Sequence, residues 1–181
     1  MNGKVFFIVC FVSFFLLACG SSKKLSKATE VTKSTSVVMN PKAKTFKQLI
    51  VLNRNELVAF AKTLLGTPYK YGSANPKNGL DCSGFIQYVF THFNVKTPRT
   101  SVDFTNEGAT IFYEDAQPGD LILFTGSDNS TGIVGHMGII TAGGKVPQFI
   151  HSTSGKNVGV IINNFTGYYK THFVKVIRII Q

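Results

Sequence analysis

Asp81-Cys82-Ser83-Gly84-Phe85-Ile86-Gln87-Tyr88-Val89-Phe90 marks the point where a polar loop turns into an apolar helix. Asp81 suits an N-cap, because a carboxylate accepts from the unpaired N–H groups of a first turn. Phe85, Val89 and Phe93 recur at helical spacing, so a helix is predicted from Cys82 to about Phe93. The cap puts Cys82 in the first turn. Unpaired N–H groups and the positive end of the helix dipole favour a thiolate there, and thiol pKa values fall in such places. The same N–H groups suit an oxyanion formed during acyl transfer. Gly84 reads as keeping the approach to the sulfur open. A filler cysteine needs neither a cap nor a nearby glycine. The context therefore favours a nucleophile.

Upstream, Leu57, Phe60, Ala61, Leu64 and Leu65 mark a helix over Glu56–Leu65. Asn53 or Asn55 can cap it, and Gly66 with Pro68 can end it. A loop rich in Gly, Pro and Asn joins the two helices. Beyond Pro118-Gly119-Asp120 the pattern changes to strands at Leu121–Thr125, His136–Thr141, Gln148–Thr153, Val158–Asn163 and Phe173–Ile180. Helices followed by short antiparallel strands give a single α+β domain.

A thiolate needs a proton shuttle, and imidazole is the usual one. His92 and His172 read as surface residues, whereas His136 and His151 border strands. A two-residue hairpin at Gly143-Gly144 would set positions summing to 287 opposite each other, and 136 and 151 give that sum. Their Cβ atoms would then lie about 4.5–5.5 Å apart on one face. One ring is expected to act as base and the other to orient it. Val146 and Pro147 can shift this register. A zinc site on Cys82, His136 and His151 is the competing reading. It lacks paired-Cys spacing and a two-His helical motif, so no metal or other cofactor is expected.

Six motifs occur in order: Gly66-Thr67-Pro68-Tyr69-Lys70-Tyr71-Gly72, Asp81-Cys82-Ser83-Gly84-Phe85, Pro98-Arg99-Thr100-Ser101, Pro118-Gly119-Asp120-Leu121, His136-Met137-Gly138-Ile139 and Phe149-Ile150-His151. Together they resemble the NlpC-type family of bacterial cell-wall peptidases, papain-like thiol hydrolases. The resemblance covers about residues 50–180. It implies a papain-like α+β fold with N-terminal helices packed on a small antiparallel sheet. It implies Cys82 as nucleophile, His136 as base and then acid, and His151 as the orienting third residue. It implies cleavage of peptidoglycan stem peptides, typically between D-glutamate and the following diamino acid. Tyr69 matches an aromatic position lining the cleft and supporting the oxyanion. Asp81 and Ser83 match positions that meet the amine and backbone of the stem peptide. Ser73 departs from the family pattern, standing where a second glycine is usual, and the stretch between the histidines carries extra residues. From the residues alone, an amidase between sugar and peptide, an acyltransferase and a non-catalytic wall-binding protein stay open. Nothing in the spacing specifies D-amino acids.

The chain has 181 residues, 19 Lys+Arg and 9 Asp+Glu. Residues 20–47 hold seven Lys and one Glu, whereas 48–181 hold eleven basic and eight acidic residues. The charge is concentrated in one segment, so no nucleic-acid face is expected. Met1–Lys4 is basic, and Val5–Ala18 is apolar except for Ser13. That is short for a membrane span and suits a secretory signal. Leu16-Leu17-Ala18-Cys19-Gly20 resembles a lipobox, with Leu17 a mild departure. The expectation is a signal peptide over 1–18, then lipidated Cys19 on a flexible basic tether over 19–45, and a catalytic domain over 46–181. The product is then a monomeric lipoprotein of the cell envelope, held on a membrane facing the periplasm or the exterior. Cys10 leaves with the signal and Cys19 is acylated, which leaves Cys82 without a disulfide partner.

Overall fold

The computed structural model describes residues 52–155 and 159–181. The signal, lipidation and tether expectations, with Cys10 and Cys19, lie outside the described residues. Among those described, no helix is long and apolar enough to cross a membrane.

Helix α1 (Arg54–Lys62) begins at Asn53, whose side chain accepts from the N–H groups of Asn55 and Glu56. Leu57, Val58 and Ala61 form its buried face. The helix stops sooner than the predicted Leu65, because the chain tightens at Thr63, whose N–H returns to Phe60 O. Leu65 is thereby turned away from the core and is 47% exposed. A short hairpin, β1 (Ala74–Asn75) and β2 (Gly79–Leu80), precedes α2 (Cys82–His92), capped by Asp81 as the sequence indicates. Phe85 and Val89 are buried, with Phe93 half-buried beside them.

The strands are β3 (Ala109–Ile111), β4 (Leu121–Thr125), β5 (Val134–Ala142), β6 (Gln148–Thr153), β7 (Gly159–Asn164) and β8 (Phe173–Arg178). A one-turn helix, α3 (Tyr168–Thr171), joins β7 to β8. The sheet order is β3-β8-β4-β5-β6-β7, and every neighbouring pair is antiparallel. Five of these strands match the sequence reading. Strand β3 does not, because its three residues are largely exposed and carry no apolar alternation.

Side chains alternate between two cores. Leu121, Leu123, Met137, Ile139 and Ile150 join α1 and α2 on one face. Ile122, Phe124, Ile140, Phe149, Phe165 and Val176 form a second core on the other. Strand β4 is covered on both sides and is buried throughout, which explains its unbroken apolar run. Where β4 begins, the buried carboxylate of Asp120 joins three elements. It accepts from Arg54 Nη1 of α1 at 3.0 Å, from Arg178 Nε and Nη2 of β8 at 2.9 and 2.7 Å, and from Gln117 N at 2.9 Å.

Candidate active site

The first turn of α2 is held from two sides. Asp81 Oδ1 accepts from Gly84 N at 2.6 Å, which leaves the N–H groups of Cys82 and Ser83 outside the cap. Gly84 has a different role from the one its position suggests. A Cβ there would lie 2.1 Å from Ser73 O, so the missing side chain admits the preceding loop instead of clearing the sulfur. Gly79 (φ +105°) turns the chain back toward Tyr69, and a Cβ on it would meet Pro68 O at 2.7 Å.

Cys82 is buried, 9% exposed, and its thiol points to Gly135 O at 4.0 Å. Burial, and then the negative charge of Asp81, push the thiol up to about 11. The N–H groups of Ser83, Met137 and Cys82 itself act in the opposite direction. The helix terminus therefore works on the sulfur as expected, but desolvation is larger and the resting group is a neutral thiol.

Asp81 and Ser83 are buried and already engaged. Arg99 donates from Nη1 to Asp81 Oδ1 at 3.1 Å and from Nη2 to Oδ2 at 2.7 Å. Its Nη1 also reaches Ser83 Oγ at 3.1 Å, and Ser83 Oγ donates to Asp81 Oδ1 at 3.3 Å. With Tyr69, Tyr71 and Cys82, these three residues line a cavity of about 430 Å³. Arg99 was visible in the sequence only as one letter of a motif. Its partnership with Asp81 spans 18 positions.

The two histidines come together by a register different from the predicted one. Ile139 faces Ile150 and Ile140 faces Phe149, so opposed positions in β5 and β6 sum to 289. The turn is the longer segment 143–147, and the pairing nearest it, Ala142 with Gln148, sums to 290. An irregularity between Ile140 and Ala142 absorbs the difference of one. Without it, His151 would project from the opposite face of the sheet. The register puts Gly138 opposite His151, with His136 two residues further along the same face. The rings meet diagonally, with His136 Nε2 and His151 Nδ1 2.7 Å apart.

His151 is fully buried, and its Nε2 lies 2.8 Å from Asn163 Oδ1. Tyr169 donates its hydroxyl to the same oxygen at 3.1 Å. Phe124 stacks beside His136, and Phe149 lies against His151. This apolar floor keeps both rings neutral. Burial, then His151, pulls His136 down to about 3, and burial pulls His151 down to about 4 although Asn163 acts the other way.

Thiol and imidazoles arrive from opposite faces of the sheet and meet at its end, where β5 starts. Cys82, Gly135, His136, Tyr69, Tyr168 and Tyr169 line one cavity there, of about 630 Å³. Burial, then the charges of Cys82 and Asp81, raise the pKa of the Tyr69 hydroxyl, and Ser154 acts in the opposite direction. His92 is exposed as expected and stacks on Phe60 at 3.7 Å. His172 departs from its surface reading. It is 8% exposed, stacks on Tyr168 at 3.8 Å, and its Nδ1 lies 2.8 Å from Tyr168 O. One turn of α3 folds it inward, and its flanking polar residues gave no sign of this.

The sequence model of the NlpC/P60 family matches residues 66–178. A Bacillus subtilis protein named "Gamma-DL-glutamyl hydrolase" is 40% identical over 126 residues, covering 68% of this chain and 29% of that one. A Haemophilus influenzae protein named "Probable endopeptidase" is 33% identical over 175 residues, covering 96% of both chains. Among solved structures, an NlpC/P60 family protein of Bacillus cereus superposes with a TM-score of 0.64 at 26% identity, over 75% of this chain and 43% of that one. The chain thus spans under a third of the Bacillus subtilis relative and nearly all of the Haemophilus one. The papain-like α+β fold is shared with these structures.

Proposed function

The chain belongs to the NlpC/P60 family, and on that footing we propose that it is a cysteine endopeptidase of peptidoglycan stem peptides. The observation that carries this reading is the convergence of Cys82 and His136 on one cavity at the end of the sheet, with buried His151 hydrogen-bonded behind His136. In the proposed mechanism the Cys82 sulfur attacks the scissile carbonyl while its proton passes to His136. The neutral thiol and neutral imidazole at rest suit such a transfer, since no charge exists before substrate arrives. The oxyanion is held by N–H groups of the first turn of α2, with the Tyr69 hydroxyl beside it. His136 returns the proton to the leaving amine as the tetrahedral intermediate collapses to a thioester. Water then attacks the thioester, giving up a proton to His136, and the released thiol regains one. His151 orients His136 throughout.

The leaving amine must lie within reach of His136, so the acyl part occupies the cavity of Asp81, Ser83 and Arg99. Asp81 and Ser83 meet the amine and backbone of the stem peptide there. The bond from D-glutamate to the diamino acid is the one the family resemblance implies, and the glutamyl bond in the name of the Bacillus subtilis relative agrees with it. The motif at Cys19 supports a lipid anchor, with residues 19–45 as tether and 46–181 as the catalytic domain. The protein then works as a monomer in the cell envelope, held on a membrane beside its polymer.

Mass spectrometry of digested peptidoglycan tests the assignment. The expected product is a stem peptide cut after D-glutamate, with no product from Cys82→Ala. Release of intact stem peptides from the sugar would instead identify an amidase. For the anchor, Cys19→Ser should move the protein out of the membrane fraction.

A further inference from the structure

The proton path does not end at His151. Asn163 Oδ1 lies 2.8 Å from His151 Nε2 and accepts the Tyr169 hydroxyl at 3.1 Å. His136, His151 and Asn163 form a straight diagonal across three neighbouring strands. His151 faces Ile161 in β7, and Asn163 is two residues beyond it. On the other side His151 faces Gly138, and His136 is two residues before it. Diagonal neighbours on one sheet face are within reach of long side chains.

An amide oxygen can only accept. If Asn163 presents that oxygen to His151, Nε2 of His151 must carry the hydrogen. Its Nδ1 then offers a lone pair, which requires a hydrogen on His136 Nε2. The remaining nitrogen of His136, Nδ1, is left as a lone pair able to take the thiol proton. Turning the Asn163 amide over reverses every step, and His136 Nδ1 would then carry a hydrogen and could take none. The structure has the first orientation: Tyr169 donates its hydroxyl to the amide oxygen at 3.1 Å and lies 3.3 Å from His151 Nε2.

We infer that Asn163 is a positioning residue that sets the tautomers of both histidines, and that Tyr169 holds its amide in the working orientation. This rests on the Cys82–His136–His151 reading. Asn163 is half-buried on the edge strand β7, and Tyr169→Phe keeps the ring that packs on Phe124 and Phe149, so these substitutions leave the cores intact. The titratable groups facing the histidine pair are Cys82 from α2, Tyr69 from the preceding loop, and Tyr168 and Tyr169 from α3. Among the described residues, no carboxylate or ammonium group lines this cavity.

The full chain, its Asn163→Ala, Asn163→Asp and Tyr169→Phe variants and the Asn163→Asp/Tyr169→Phe pair separate this role from a structural one. The assay is steady-state kinetics on a stem peptide across pH, with a thermal melt for each variant. Asn163→Ala should lower kcat about tenfold to a hundredfold with KM little changed, the range known for losing the outer partner that orients a metal-bound histidine. Asn163→Asp should keep kcat within about threefold, because a carboxylate also only accepts. Its acid limb in kcat/KM should move to higher pH, because the added negative charge favours imidazolium. Tyr169→Phe should cost several-fold beside Asn163 and nothing beside Asp, since a carboxylate has no wrong orientation. Three results overturn the inference: Asn163→Ala within about twofold of the parent, Asn163→Asp as impaired as Asn163→Ala, or an equal Tyr169→Phe cost in both backgrounds. His136→Ala distinguishes the two levels. Activity there defeats the triad reading itself, whereas an inactive His136→Ala beside an unaffected Asn163→Ala defeats only this inference.

Discussion

Two buried polar networks share the same sheet, and they are built on opposite rules. At the start of β4, Asp120 is charged, fully buried and matched by two guanidinium groups. Across β5, β6 and β7 the diagonal from His136, which faces Phe124, through His151 to Asn163 is uncharged. Only the His136 end is distant from Asp120 along the strands. Asn163 faces Phe149, which faces Ile140, whose N–H donates to Asp120 O, so that end lies level with Asp120 three strands across. In the Asp120 cluster the carboxylate is held by donors from α1, β8 and the Gln117 backbone, so it fastens three elements and has no freedom to reorganise. In the histidine chain each link is a single hydrogen bond whose direction depends on a tautomer. Such a chain adds little to stability, yet a proton can enter it without creating an unpaired buried charge first. Burial is common to both. Whether the buried groups are charged or neutral decides whether a network fastens or relays.

This contrast predicts a double dissociation. His136→Ala should lower turnover by about 10³-fold, the scale of a lost general base, while shifting the melting temperature little. A near-normal rate would place the relay elsewhere. Asp120→Ala should do the reverse. It strands two guanidinium groups and should cost about 3 kcal/mol of stability, with kcat of the folded fraction within about twofold in a cool assay. A large loss of kcat at full folding would show that the two networks are coupled.

A third experiment concerns the thiol that the relay serves. Because Cys82 is raised to about 11, its thiolate fraction at rest should grow with pH. Iodoacetamide labelling at Cys82, read on its own peptide, should be slow at pH 6 and rise about tenfold per pH unit toward pH 9. A rate that is flat from pH 5 upward would mean a preformed thiolate. The smallest effect concerns acid stability. The folded-state value of His151 is lowered to about 4 from 6.5. The unfolded chain therefore binds the extra proton first, and stability is full above about pH 6.5 and declines as pH falls toward 4. The loss attributable to His151 should reach about 2 kcal/mol by pH 5. Denaturant titrations at pH 7 and pH 5 measure it, and His151→Gln should flatten the difference. An unchanged difference in that variant would remove His151 as its source.

Much of the fold was legible because local signals were strong. Asn53 and Asp81 cap the two helices, and five strand cores stand where the apolar pattern puts them. The site was legible only in part. Cys82 was found through its cap, and His136 and His151 through an even-numbered spacing argument whose register was two positions off. An even error preserves the face, which is why the rings still meet. Arg99, Asn163 and Tyr169 were missed as site residues. Each contributes through a partner on another element, and none carries a local pattern.

The sequence by itself determined the two main helices and five of the strands, where the one thiol of the folded part sits, and which family the chain joins. These depend on neighbours three, four or two residues apart, and such neighbours are written next to each other. Only the tertiary structure decided the ionisation of that thiol, the diagonal that links two histidines to an asparagine, and the burial of His172. Desolvation and side-chain reach depend on what packs from other strands, and linear spacing carries no measure of either.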